Sequence, residues 1–136
     1  MSYMNQRSAL GQYQQVQASG ASYADPHRLI QMLMEGALTC VAVAAGAIER
    51  GEIPAKAKAI TRAIAIIDGL QDALDRSEGG DLVDNLDALY DYMVRRLALA
   101  NAENDAAVLK EVSSLLSQIK EAWDAIPPEA RAAKAG

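Results

Sequence analysis

One histidine, one cysteine, one tryptophan and no phenylalanine occur in the 136 residues, and these shortages remove whole classes of chemistry. A di-iron helix bundle needs Glu-x-x-His on two helices, which one histidine cannot supply. His27 follows Asp25-Pro26 in the first turn of a helix. A haem ligand would have to face the interior from there, and a phosphotransfer histidine sits mid-helix, so His27 reads as a solvated first-turn residue. Cys40 has no second thiol for an internal disulfide and no histidine or acid near it in sequence. It reads as a small buried hydrophobe, inert as a nucleophile and suited to a reducing compartment. P-loop, GxGxxG and zinc-ligand spacings are missing. Nothing points to an enzyme, a catalytic residue, a metal or a cofactor.

A basic excess is also missing. Lys and Arg number 13 against 18 Asp and Glu, a formal charge of −5. Nucleic-acid binding depends on a basic face that neutralises phosphates, and anionic membranes select for one too. Long hydrophobic runs are absent as well: the uncharged apolar stretch from Gly36 to Ile48 falls short of the roughly 20 residues a spanning helix needs. Met1-Ser2-Tyr3-Met4-Asn5-Gln6-Arg7 leads into no apolar export segment. The expectation is a cytoplasmic protein without membrane insertion.

Half the chain is nevertheless apolar, chiefly Ala, Leu, Ile and Val, and so favours helix. Asp25-Pro26 marks a helix start, an N-cap followed by a first-turn proline. The helix should run to about Arg50 and stop at Gly51. Its apolar arc is Leu29, Ile30, Leu33, Met34, Ala37, Val41, Ala44 and Ile48, and the small residues Ala42, Ala44, Ala45 and Gly46 would admit a close neighbour. A second helix is expected from Pro54 to Ser77, with Lys56, Lys58 and Arg62 as a solvated basic edge. Gly79-Gly80 should close it.

The third helix opens at Asp81 as N-cap and closes at Asn101 as left-handed C-cap. It carries two stripes: Leu82, Leu86, Leu89, Met93 and Leu97, and beside them Val83, Tyr90, Val94 and Leu97. Deeper burial and a docking groove both account for the second stripe. Asp84, Asp87 and Asp91 line up on one face, a solvated acidic row or a cation site. Asn104-Asp105 caps a fourth helix to about Ile126, ended by Pro127-Pro128. Helices of this length, with short connections, predict an all-α, antiparallel up-down-up-down four-helix bundle over residues 25–126. A mobile N-terminal arm over 1–24 and a flexible tail over 127–136 flank it. The surplus apolar helix face implies a protein partner, docked as an amphipathic helix in a groove. A self-associating structural bundle, a homodimer, is the alternative.

Several motifs, in order, resemble one family. Asn85-Leu86-x-x-Leu89-Tyr90-Asp91-Tyr92-Met93-x-Arg95-Arg96-Leu97, followed by Ala100-Asn101, is similar to the third helix of the flagellar secretion chaperones FliS. Pro26-His27-x-Leu29-Ile30-x-Met32-Leu33-x-Glu35-Gly36-Ala37 is similar to their first helix. Lys58-Ala59-Ile60-x-x-Ala63-Ile64-x-Ile66-Ile67-x-x-Leu70 is similar to their second, and Asn104-Asp105 and Trp123 match the fourth. The resemblance implies a four-helix bundle that binds the disordered C-terminal segment of flagellin, prevents premature polymerisation and delivers it to the export gate. It also implies an N-terminal cap held by an apolar residue three before a tyrosine, which Leu10 and Tyr13 match. The expected client contacts are on the second and third helices: Ile66, Leu70, Tyr90, Val94 and Leu97.

Overall fold

The computed structural model describes residues 25–77 and 80–130. Among these residues four long helices form: α1 (Pro26–Glu49), α2 (Ile53–Asp72), α3 (Asp81–Glu103) and α4 (Ala106–Asp124). α1 packs on α2 and α4, and α3 packs on the same two, so the helices stand in a square with each sequential pair antiparallel. The fold is the expected all-α four-helix bundle. The arm at 1–24 and the tail beyond residue 130 lie outside the described residues.

Local chemistry sets most boundaries. The Asp25 carboxylate accepts from the Arg28 N–H and Pro26 starts α1; Asp105 accepts from the Ala107 and Val108 N–H groups and starts α4. α1 ends in a left-handed Gly51 (φ 70°), whose N–H donates to the Ile48 carbonyl while the Glu52 N–H reaches the Ala47 carbonyl. This paired closure satisfies carbonyls that the helix end would leave open.

Three boundaries differ from expectation. α2 stops at Asp72, not Ser77. Beyond it the Asp75 carboxylate accepts from the Ser77 N–H, a local bond that competes with helix, so the glycine pair does not close α2. Gly80, at φ 98°, is the N-cap of α3, and Asp81 is its first helical residue. The left-handed C-cap is Asn104 (φ 53°), not Asn101. Asn101 stays helical, and its carbonyl accepts from the Lys56 ammonium.

The core centres on Met34, Ile60, Ile67, Met93, Leu97 and Leu109, all fully buried. Three side chains sit elsewhere than the helical pattern suggested. Leu82 is 67% exposed, because the first turn of α3 runs past the end of the core. Lys56 is only 4% exposed and leaves the basic edge. Its Nζ donates to the Asn101 carbonyl at 2.7 Å and to Asn104 Oδ1 at 2.6 Å, so one ammonium caps the C-terminus of α3. His27 is buried rather than solvated. Its ring stacks on Trp123 with centroids 4.8 Å apart; Nε2 lies 2.7 Å from the Trp123 carbonyl, and Trp123 Nε1 donates to the His27 carbonyl. That reciprocal clasp ties the start of α1 to the end of α4.

Candidate docking site

Two sides of the square bear on docking. On the first, the C-terminal half of α1 faces the N-terminal half of α4. Val41, Ala42, Ala45 and Glu49 share one flank of α1 by helical spacing, and Ala106, Ala107, Leu109, Lys110 and Ser113 answer them from α4. Alanines keep the helices from filling the space between them, and an open groove of about 390 Å³ remains. Buried Val41 and Leu109 make its floor. Exposed Ala42 and Ala107 stand on its walls, with Glu49 and Lys110 exposed at the rim. A shallow apolar trough of this kind has room for apolar side chains. The small residues of α1 were the sequence signal for it; the contribution of α4 carried none.

The second side is the seam between α2 and α3. Its ends are fastened by polar bonds. Lys56 grips the C-terminus of α3, while Gln71 Nε2 donates to Asp87 Oδ1 and Asp91 Oδ1, both at 2.8 Å. Arg76 pairs with Asp87 at 2.9 Å. Two members of the acidic row therefore hold the seam. Hydrogen bonds from Arg76 and Gln71 lower the pKa of Asp87. Asp68 moves the other way, raised by burial and by the nearby charges of Asp72 and Asp91.

The five expected contact residues lie in or beside this seam. Tyr90 and Val94 follow Asp87 and Asp91 by three positions and so share their α2-facing flank. Tyr90 is 3% exposed, and burial pushes its phenol up to about 12. Leu97 and Leu70 are buried, and Val94 is half-buried. Ile66 turns the other way, its Cδ1 within 3.6 Å of where a Cβ on Gly36 of α1 would stand. In this conformation the five make a packed interior with one accessible edge at Val94. Leu10 and Tyr13 lie outside the described residues.

The α3–α4 side is closed by a polar cluster. Tyr92 Oη donates to Glu111 Oε2 at 2.7 Å, Arg96 Nε donates to Glu111 Oε1 at 2.8 Å, and the Arg96 guanidinium lies over the Tyr92 ring. The hydrogen bonds from Tyr92 and Arg96 lower the Glu111 pKa. α1 is long and apolar enough to cross a membrane by composition and length, with a third of that stretch buried within the bundle.

Comparison with known proteins places the chain in a family. The family model for the flagellar protein FliS matches residues 9–130. A flagellar secretion chaperone FliSB of Pseudomonas aeruginosa is 53% identical over 119 residues, covering 87% of this chain and 94% of its own. The flagellar secretion chaperone FliS of Salmonella typhimurium is 46% identical over 125 residues, covering 90% and 93%. That of Vibrio cholerae is 41% identical over 124 residues, covering 90% and 91%.

Proposed function

Because the chain belongs to the FliS family of flagellar proteins, we propose that it is a cytoplasmic chaperone that binds the disordered C-terminal segment of flagellin, holds it back from polymerising and delivers it to export-gate components. A chaperone role in flagellar export comes with the family, which is not a class of enzymes, and that role implies a protein partner.

The open groove between α1 and α4 carries the reading. A segment disordered when free gains affinity by burying apolar faces and gives part of it back in ordering. An alanine-walled trough with a Val41–Leu109 floor offers such a face without a deep pocket. Glu49 and Lys110 at the rim give the client's register a charge of each sign. The α2–α3 seam is the second contact in this proposal. Val94 is touched first, and Ile66, Leu70, Tyr90 and Leu97 are reached as the seam spreads. Residues 1–24 serve as an arm whose Leu10 and Tyr13 compete for the client's place, residues 25–126 as the binding bundle, and 127–136 as a tail.

The test is titration calorimetry with the C-terminal segment of flagellin, followed by circular dichroism. The expected result is a one-to-one complex with a gain in helicity on mixing. Ala107→Glu puts a charge on the groove wall in the first turn of α4, where the helix dipole tolerates it. It should weaken binding at least about tenfold with the melting curve unchanged, since one desolvated charge is worth that much or more. No heat and no change in helicity at tens of micromolar protein would refute the reading.

A further inference from the structure

We infer that the groove between α1 and α4 fixes the register and the chain direction of the helix it takes, by reading two opposite charges. The inference rests on the proposed docking of the flagellin segment in that groove and deepens it. Among the described residues that line the groove, only Glu49 and Lys110 carry charge. They stand on different walls, Glu49 on α1 and Lys110 on α4, and both are exposed. The ion pairs of the described residues engage neither of them, so both are open to a partner. Neighbouring charges are taken up elsewhere. Arg50 pairs with Glu52 and lies back over Gly46, and Glu111 is held by Arg96 and Tyr92. The Asp105 carboxylate accepts from the first N–H groups of α4.

The two charges also stand at different heights. α1 and α4 run antiparallel, with His27 against Trp123 and Gln31 against Asp124. Counting equal steps on from His27 and back from Trp123 brings Cys40 level with Lys110, and the second pairing brings Ala45 level with it. Glu49 therefore lies about four to nine residues nearer the corner, roughly 6–13 Å at 1.5 Å per residue, or one to two turns of helix. Alanine walls over a floor of Val41 and Leu109 hold apolar side chains without specifying their position. The rim charges supply what the shape does not. A docked helix satisfies both when a basic residue on one edge of its apolar stripe sits by Glu49, and an acidic residue on the other edge, one to two turns along, sits by Lys110. Sliding the helix parts the pairs. Turning it end for end exchanges ends and edges together and sets like charge against like, a repulsion that excludes the reverse direction. The ligand class is an amphipathic helix with that diagonal of charge.

Disulfide cross-linking tests this. The C-terminal segment of flagellin, with one cysteine placed at each position in turn, is mixed with the full chain carrying Ala45→Cys and Cys40→Ala. A disulfide demands close approach, so it reports which client residue lies over position 45. The expected pattern is one strongest position with weaker ones at helical spacing. Exchanging the rim charges, Glu49→Lys with Lys110→Glu, should move that position by a turn or more. Each single reversal should weaken binding roughly 2- to 30-fold by calorimetry at low salt, an exposed attraction turned into a repulsion, and less at high salt. Reversing the charge of the client residue found beside Glu49 should restore the binding of Glu49→Lys. Circular dichroism melts confirm that each variant folds. An unmoved cross-link in the exchanged chain overturns the inference, whether or not affinity falls, and leaves flagellin binding standing. So does binding without any cross-link to Ala45→Cys, which puts the client elsewhere on the bundle. A parent chain that does not bind the segment overturns both this inference and the export-chaperone reading beneath it.

Discussion

Replacing Lys56 by methionine isolates the contact that fastens α2 to the end of α3. The side chain keeps its length and apolar stem but loses the ammonium. Two acceptors, the Asn101 carbonyl and Asn104 Oδ1, then lose their donor inside the fold. Hydrogen bonds from a charged group contribute about 1.5–3 kcal/mol each, and a buried acceptor left unpaired costs about 1–3 kcal/mol. Against this, methionine removes the cost of holding an ammonium out of water. The net expectation is a loss of about 2–4 kcal/mol, or a melting temperature lower by roughly 10–20 °C for a domain of this size. Urea unfolding followed by circular dichroism reads it directly. Lys58→Met, on the exposed neighbour, should change stability by less than about 0.5 kcal/mol. Asn104→Gly keeps the left-handed cap but removes Oδ1, so the double variant with Lys56→Met should show about 1–2 kcal/mol of coupling. A Lys56→Met protein as stable as the parent, or zero coupling, would refute the assignment of Lys56 as a cap.

Tyr90 should make the bundle alkali-sensitive. Its folded pKa of about 12 exceeds its ordinary 10, so its contribution is intact below pH 10 and is lost as the pH rises from 10 through 12. Tyr90→Phe should flatten the fall in stability over that window by roughly 2–3 kcal/mol, measured by urea unfolding at stepped pH. Gly69→Ala should stabilise by about 0.5–1 kcal/mol, because a Cβ there meets nothing within 4 Å and α2 gains a better helix former. Deleting residues 1–19, or changing Leu10 and Tyr13 together to alanine, should tighten flagellin binding about 6- to 30-fold if the arm holds all but roughly 3–15% of molecules closed. Weaker binding after truncation would make the arm part of the client site.

Signals that act over a few residues were legible in the sequence. Asp25-Pro26, Gly51 and Asp105 set helix ends through bonds to residues two to five positions away, and each appears where the sequence put it. Contacts across the bundle were not. Lys56 finds its acceptors 45 and 48 residues on, and His27 its stacking partner 96 residues on. Helical spacing identified Tyr90 and Leu97 as apolar-face residues but not how far α2 would cover them. Both reading and structure give α3 two apolar flanks. The groove depends on absent volume, and alanines that leave a gap look in sequence like alanines that close one.

The clasp between His27 and Trp123 has a consequence for how the chain closes on itself. Three sides of the square are joined by corners at residues 50–52, 73–80 and 104–105. The side between α1 and α4 has no corner, and its clasp spans 96 residues. Closing that loop costs roughly 3 kcal/mol more chain entropy than closing a three-residue turn. On chain entropy alone this side is the costliest of the four to close, and the clasp and the packing between α1 and α4 offset that cost. It is also the side that holds the groove, so a helix docking there, as proposed, would meet the bundle where no corner of the chain joins the two helices.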